Sequence, residues 1–261
     1  TQRGPCVMLS IVLKYGNVLV DVAKASLIIE YTIDDASVAE IAKTYVTQAD
    51  VELFTKRSVY CLNLMSPSYK FLRPRMRNGD WATPTDIGVT KVWNPVFPAG
   101  WTEGTGWQYL WSVPQDVKGL VQAMGGANVA RERLDSFFTS ALQTSAAQIV
   151  PLAQTQTSLF GIAFYGNQFT PANEPDLQTP WLYNWVSEPW KASKAVHSSA
   201  KVWSALPNGL PGNDDTGSMS AWYVLAAMGL YQPQPGSPYW VTSTPFFDAI
   251  SIRGADGKAA L

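Results

Sequence analysis

The chain has 261 residues, with 15% charged residues and a formal net charge of −1. That balance, without any basic cluster, leaves no electrostatic basis for nucleic-acid binding. With 46% hydrophobic and 12% aromatic residues the chain is not of the disordered class. No apolar run reaches the length of a membrane span, and no Asn-x-Ser/Thr acceptor occurs.

The elements follow in chain order. Val22 to Ile33 reads as a buried helix. Asp34 and Asp35 then read as an N-cap, because Val38, Ile41, Ala42 and Tyr45 recur behind them at helical spacing. Val51, Phe54, Ser58, Cys61 and Leu62 mark a further helix face. Residues 66 to 101 carry Pro67, Pro74, Pro84, Pro95 and Pro98 among several glycines, which predicts a long loop. Loops of that length in folded domains tend to be functional. Helices are expected at 115–124, ended by Gly125-Gly126, and at 128–144. Residues 145–170 read as irregular. Ser187-Glu188-Pro189 opens a helix with proline in its first turn. Asp215 to Met228 is expected to be a helix closed by Gly229, with short strands at 239–243 and 248–252. Helices alternating with acid- and aromatic-bearing loops predict an all-α, single-domain barrel over residues 1–261, with a site at one end.

The single histidine, His197, argues against Ser-His-Asp, Cys-His and multi-histidine metal chemistry. It sits in a Lys/Ser-rich helical stretch and reads as a surface residue. Cys6 and Cys61 do not define a disulfide framework, and their pairing stays open.

The chemistry concentrates in three polar clusters. Gly212-Asn213-Asp214-Asp215-Thr216-Gly217 places adjacent carboxylates between glycines. Acids this close repel, so one is expected to meet a cation or a substrate. Glu103-Gly104-Thr105-Gly106-Trp107-Gln108-Tyr109 adds a carboxylate with aromatic neighbours, and Asn173-Glu174-Pro175-Asp176 adds another. Acids, amides and indoles around a pocket suit carbohydrate chemistry, in which carboxylates move protons and indole faces stack on sugar rings. Trp81, Trp107, Trp181 and Trp185 are the indoles best placed for this, although most of the eleven tryptophans are expected to be core. Each acid also has a plainer reading. Glu103 suits a helix N-terminus, Asp214 or Asp215 an N-cap, and Asn173 and Glu174 a turn; Arg73 and Arg75 suit bracing of the long loop.

The chain also resembles glycoside hydrolase family 92, the exo-acting α-mannosidases. The resemblance is carried by Phe71-Leu72-Arg73-Pro74-Arg75, Glu103 through Tyr109, Val113-Pro114-Gln115-Asp116-Val117, Met124-Gly125-Gly126 and Gly166-Asn167-Gln168. It continues through Asn173-Glu174-Pro175, Leu182-Tyr183-Asn184-Trp185, Pro189-Trp190-Lys191, Gly209 to Asp215, Trp222-Tyr223 and Gly236-Ser237-Pro238. Order and spacing agree from about residue 17 to the end. The resemblance implies an (α/α)6 toroid of which this chain is the later part, without the N-terminal β-sandwich of the family. It implies a calcium-assisted, inverting exo-α-mannosidase, α-1,2 in preference, acting outside the cytoplasm: secreted, periplasmic or cell-surface. By resemblance Glu103 is the general acid, in a pocket made apolar by Trp107 and Tyr109. Asp215 is the general base with Asp214 assisting, and Trp107, Gln108 and Asn213 contact substrate. Glu174 and Asn173 hold Ca2+. The partner is a carbohydrate, an α-mannoside on an N-glycan or mannan, and the oligomeric state is open. Asp176-Leu177-Gln178 stand where the family often has histidines. Three alternatives remain: a non-catalytic mannose-binding fragment, a purely structural fragment, and an (α/α)6 hydrolase for another sugar.

Overall fold

A computed structural model describes residues 25–76, 79–82, 100–143, 169–171 and 173–254. The first helix, α1, runs unbroken over Ala25–Tyr45. The expected interruption at Asp34 and Asp35 does not occur. Asp35 lies inside the helix and points to Arg57, the last residue of α2 (Gln48–Arg57). The guanidinium grips the carboxylate twice, at 2.9 Å from Nε and 2.7 Å from Nη2. Both groups are buried. An unpaired charge in a helix–helix seam would be costly, and the forked geometry offsets that cost. Asp35 is therefore a staple rather than a cap. Thr47 and Asp50 form a reciprocal capping box that starts α2.

A 3₁₀ helix, Tyr60–Leu64, follows. It carries Cys61, a free and buried thiol that burial pushes up to about 12. The described part of the long loop contains no helix. It folds back through bridges pairing Met65 with Leu72 and Arg75 with Trp81. Arg73 is buried and donates to the Ala82 carbonyl at 3.2 Å, while Arg75 lies 4.0 Å over the Trp81 ring. Both arginines brace this segment. The part of the loop at 83–99 lies outside the described residues, as do the cluster 166–168, most of the irregular stretch 145–170, and Cys6.

The next helices are a single turn, α3 (Gly106–Tyr109), then α4 (Val117–Met124) and α5 (Ala127–Gln143). Asp116 caps α4 by accepting from Gly119 N at 2.8 Å, and Gly125 closes it at φ 110°, a left-handed value suited to glycine. A 3₁₀ segment, Thr179–Val186, leads to α6 (Pro189–Ser199), with proline in its first turn. The final helix, α7 (Ser218–Met228), ends at left-handed Gly229.

Sequence-adjacent elements pack on one another: α1 on α2, α4 on α5, and α6 on the 3₁₀ segment before it. This neighbour-on-neighbour order is that of part of an (α/α)6 toroid. One apolar cluster joins Ile29, Leu110, Trp111, Leu120, Met124 and Phe137. A second joins Leu177, Trp181, Val196, Met219, Trp222 and Ala226. Trp181, expected at a sugar site, is fully buried there and stacks on Tyr231 at 4.2 Å.

The strands differ from expectation. β1 (Leu230–Tyr231) starts directly after Gly229 and pairs antiparallel with β2 (Val241–Thr242). Residues 248–252 form no strand. Gly229 explains the early start, because a Cβ there would meet the Ser243 carbonyl at 2.5 Å. The chain leaving β2 needs that space. His197 is half-buried rather than free on the surface. Its Nε2 lies 2.8 Å from the Thr244 carbonyl and its ring meets Phe246 edge-on.

Candidate active site

Glu103 stands on a segment gripped from both sides. Ala25 N donates to the Gly100 carbonyl at 3.1 Å and Thr102 N donates to Ser26 Oγ at 3.1 Å. The Tyr109 hydroxyl lies 2.7 Å from the Thr102 carbonyl, and Asn173 Nδ2 donates to the Glu103 carbonyl at 2.7 Å. Glu103 itself has φ 50°, a left-handed value that a side chain with a Cβ adopts only where its surroundings enforce it. Its side chain is exposed, so the expected enclosure by Trp107 and Tyr109 is not found among the described residues.

Trp107 is half-buried. Its ring lies parallel to Phe137 at 6.1 Å and meets Phe71 edge-on at 4.9 Å, with the Arg133 guanidinium 5.5 Å from it. Gln108 is buried and its Oε1 accepts from both Thr105 N and Thr105 Oγ1 at 2.7 Å. It is the third-position partner of a capping box, which the Thr-Gly-Trp-Gln spacing already allowed.

The second segment is a short 3₁₀ turn, Glu174–Asp176, with Pro175 in its first turn. Asn173 is buried, whereas the Glu174 carboxyl faces solvent. Gln178 fixes the turn, donating to the Trp111 carbonyl at 2.9 Å and the Pro175 carbonyl at 2.8 Å. Asp176 is fully buried. Its Oδ2 accepts from Thr170 N at 2.9 Å and its Oδ1 has no partner among the described residues. Burial holds this carboxyl well above the usual carboxylate range.

The third segment precedes α7. Asp215, Thr216 and Gly217 take φ 46°, 58° and 93°, three left-handed residues in succession. This turn replaces the first turn of the helix expected from Asp215. Asp214 Oδ1 accepts from Ser220 N at 2.9 Å and Ser220 Oγ at 2.8 Å, so Asp214 caps α7 from a distance. Asp215 and Asn213 are exposed. Trp222 Nε1 donates to the Leu177 carbonyl at 2.8 Å, tying α7 to the Glu174 turn.

Two bonds bring the segments near one another: Asn173 Nδ2 to the Glu103 carbonyl, and Trp222 Nε1 to the Leu177 carbonyl beside the Glu174 turn. Partial burial raises the Glu174 carboxyl above its ordinary value, its own backbone N–H opposes that, and Asp215 and then Glu103 raise it further. Acids gathered in this way favour a proton or a cation among them. Glu30 on α1 belongs to the same patch and was missed by sequence reasoning. Its Oε1 lies 3.1 Å from the Tyr109 hydroxyl. Burial first, then the charges of Asp34 and Glu103, raise its carboxyl, and Tyr109 opposes them. The available signal was Glu30 and Asp34 one helical turn apart, an unfavourable like-charge spacing.

For calcium, the donor set is of the right kind. Asn173 spends its amide N–H on the Glu103 carbonyl and retains Oδ1, and Glu174 offers a solvent-facing carboxylate. Hard oxygens suit Ca2+. Among the described residues no three His, Cys, Asp or Glu side chains are grouped to hold a metal. The remaining positions would fall to main-chain, water or sugar oxygens.

Comparison with known proteins shows what the chain is similar to. An uncharacterized secreted glycosidase of Arthroderma benhamiae is 28% identical over 73% of this chain, which spans 22% of that protein. A family GH92 α-mannosidase from Bacteroides thetaiotaomicron superposes with a TM-score of 0.71 at 33% identity, over 88% of this chain and 27% of that one. The same mannosidase has also been solved in complex with mannoimidazole. A family GH92 inverting mannosidase of that organism gives a TM-score of 0.77 at 24% identity, over 97% of this chain and 33% of its own, which speaks to the fold. This chain thus spans a third or less of the length of each of these relatives. The profile of the glycosyl hydrolase family 92 catalytic domain matches residues 9–261. The chain belongs to glycosyl hydrolase family 92.

Proposed function

We propose that this chain carries the acid–base face of an exo-α-mannosidase that releases mannose with inversion, α-1,2 linkages being preferred. The observation that carries the reading is the pair of bonds that gather the acid-bearing segments, Asn173 to the Glu103 carbonyl at 2.7 Å and Trp222 to the Leu177 carbonyl at 2.8 Å, beside the Glu174 turn. Membership of family 92 and the mannosidase relatives supply the substrate class. The secreted relative supports action outside the cytoplasm.

Inversion asks one carboxyl to protonate the leaving oxygen while another activates water on the opposite ring face, roughly 6.5–9.5 Å away. Glu103 is assigned the first task. It stands on a rigid segment whose carbonyls are held at Thr102 and Glu103, so its proton is delivered from a fixed position. Asp215 is assigned the second task and takes a proton from the attacking water. Its own carbonyl accepts from Ser218 Oγ at 2.7 Å, which fixes the left-handed turn that presents the carboxylate. Asp214, occupied by Ser220, steadies that turn. Asn173 and Glu174 would hold calcium, which when bound would grip vicinal sugar hydroxyls and balance local negative charge.

The test uses Glu103→Gln and Asp215→Ala in the full-length protein. Asp215→Ala should abolish turnover on every mannoside. Glu103→Gln should slow a mannose disaccharide at least tenfold more than an activated aryl mannoside, because a good leaving group departs with little protonation. β-Mannose should be the first product seen by NMR. Equal losses for Glu103→Gln on both substrates, or α-mannose first, would overturn the assignment. Mannose binding without turnover in the unsubstituted protein would favour a carbohydrate-binding role.

A further inference from the structure

We infer that Glu30 and Tyr109 together form the positioning device for Glu103, transmitting the register of α1 to the proposed acid. The inference rests on the general-acid reading of Glu103 and gives Glu30 and Tyr109 a positioning role that reading does not contain.

Glu103 occupies a backbone conformation it would not choose alone, at φ 50°. Something must hold both flanks. The Tyr109 ring does so physically. It stacks on Trp101 at 5.4 Å and 18°, and a Cβ on Gly104 would come within 3.0 Å of it. The ring therefore abuts the chain on both sides of Glu103, and Gly104 is required for that approach. The Tyr109 hydroxyl then reaches the Thr102 carbonyl at 2.7 Å and Glu30 Oε1 at 3.1 Å.

A phenol carries one proton and here faces two oxygens. Both the Thr102 carbonyl and Glu30 Oε1 lie within donating distance of the Tyr109 hydroxyl, so the phenol links the acid's segment to α1. Glu30 belongs to the same helix as Ala25 and Ser26, whose backbone and hydroxyl hold Gly100 and Thr102. One helix thus grips the segment at its start through the main chain and near the acid through a relay. Loss of the relay leaves the start of the segment in place and frees the peptide just before Glu103. The consequence is a misplaced proton donor, not a lost binding site.

The test compares Glu30→Ala, Glu30→Gln and Tyr109→Phe in the full-length protein, with Glu103→Gln as reference and circular dichroism to show that each is folded. Glu30→Ala and Tyr109→Phe should lower kcat on a mannose disaccharide by about 10–100-fold, the scale of an ångström-level misplacement, and lower it on an activated aryl mannoside by less than about threefold. KM should stay within about twofold on both substrates, since ground-state binding is untouched. Glu30→Gln retains an Oε1 acceptor for the Tyr109 hydroxyl and should stay within about threefold of the parent on both substrates. Losses equal on the two substrates, no loss at all, or a Glu30→Gln variant as impaired as Glu30→Ala would overturn the inference. The reference keeps the outcomes separate. If Glu103→Gln lacks the substrate bias, the acid assignment itself fails. If it has the bias and the Glu30 and Tyr109 variants lack it, only the positioning role fails.

Discussion

Trp222 is the most direct handle on how two acid-bearing segments are kept together. Its indole is buried, stacks on Trp203 at 4.7 Å, meets Trp181 edge-on at 5.6 Å, and donates to the Leu177 carbonyl at 2.8 Å. Trp222→Phe keeps an aromatic ring and removes the donor. The stranded carbonyl should cost about 1–3 kcal/mol. Weakened ring pairs should add about 0.5–1.5 kcal/mol. The expected loss is therefore about 1.5–4.5 kcal/mol, read from urea unfolding followed by far-UV circular dichroism with an unchanged slope. Because this bond joins α7 to the turn that carries Glu174, kcat/KM should fall at temperatures where the variant remains folded. A stability loss below about 0.5 kcal/mol, within the range of an ordinary surface change, would refute the reasoning that the bond is structural. A normal loss of stability with unchanged kcat/KM would refute its link to the site.

Three further outcomes are expected. A calcium chelator should abolish turnover of the full-length protein and added calcium should restore it, while Glu174→Ala should remove most activity together with the calcium response; a rate indifferent to chelation would return Glu174 to a turn role. Burial raises the Asp176 carboxyl, so its contribution to stability is complete below pH about 3.9, the unfolded value, and is lost as pH rises from there through its raised folded value. Asp176→Asn should therefore flatten the fall in thermal midpoint across that window, and an unchanged slope in scanning calorimetry would count against it. Gly119→Ala places a Cβ 2.0 Å from Asp116 Oδ2 and should break the α4 cap, at a cost of about 0.5–2 kcal/mol in denaturant unfolding.

What the sequence reveals depends on how far apart the interacting residues are. The helices at Val117–Met124 and Pro189–Ser199 were legible because their signals are local, Gly125 after one and Pro189 opening the other, although the first was started two residues early. Asp35 misled because its partner, Arg57, lies 22 residues away, and a capping aspartate and a stapling one look alike in sequence. The start of α7 was placed too early because the apolar pattern does not report backbone handedness, and Asp215 and Thr216 are left-handed without being glycine. Trp181 stood among four candidate indoles because a residue's type says nothing of its burial, and it is one of those that prove structural. At the candidate site, Glu103, Glu174 and Asp215 were named from sequence, and their coupling emerged only with the fold. Glu30 was overlooked because its meaning lies in Tyr109, 79 positions further on.

Four of the bonds that place the acid-bearing segments share one property. Asn173 addresses the carbonyl of Glu103, Tyr109 that of Thr102, Gln178 that of Trp111, and Trp222 that of Leu177. In each case the receiving atom is one that every amino acid possesses. The frame is thus indifferent to the identity of the residue it presents. Swapping a carboxylate for its amide at Glu103 or Glu174 would change the chemistry offered while leaving the mounting intact. The same architecture leaves evolution free to retune the acids one at a time without first having to rebuild their supports.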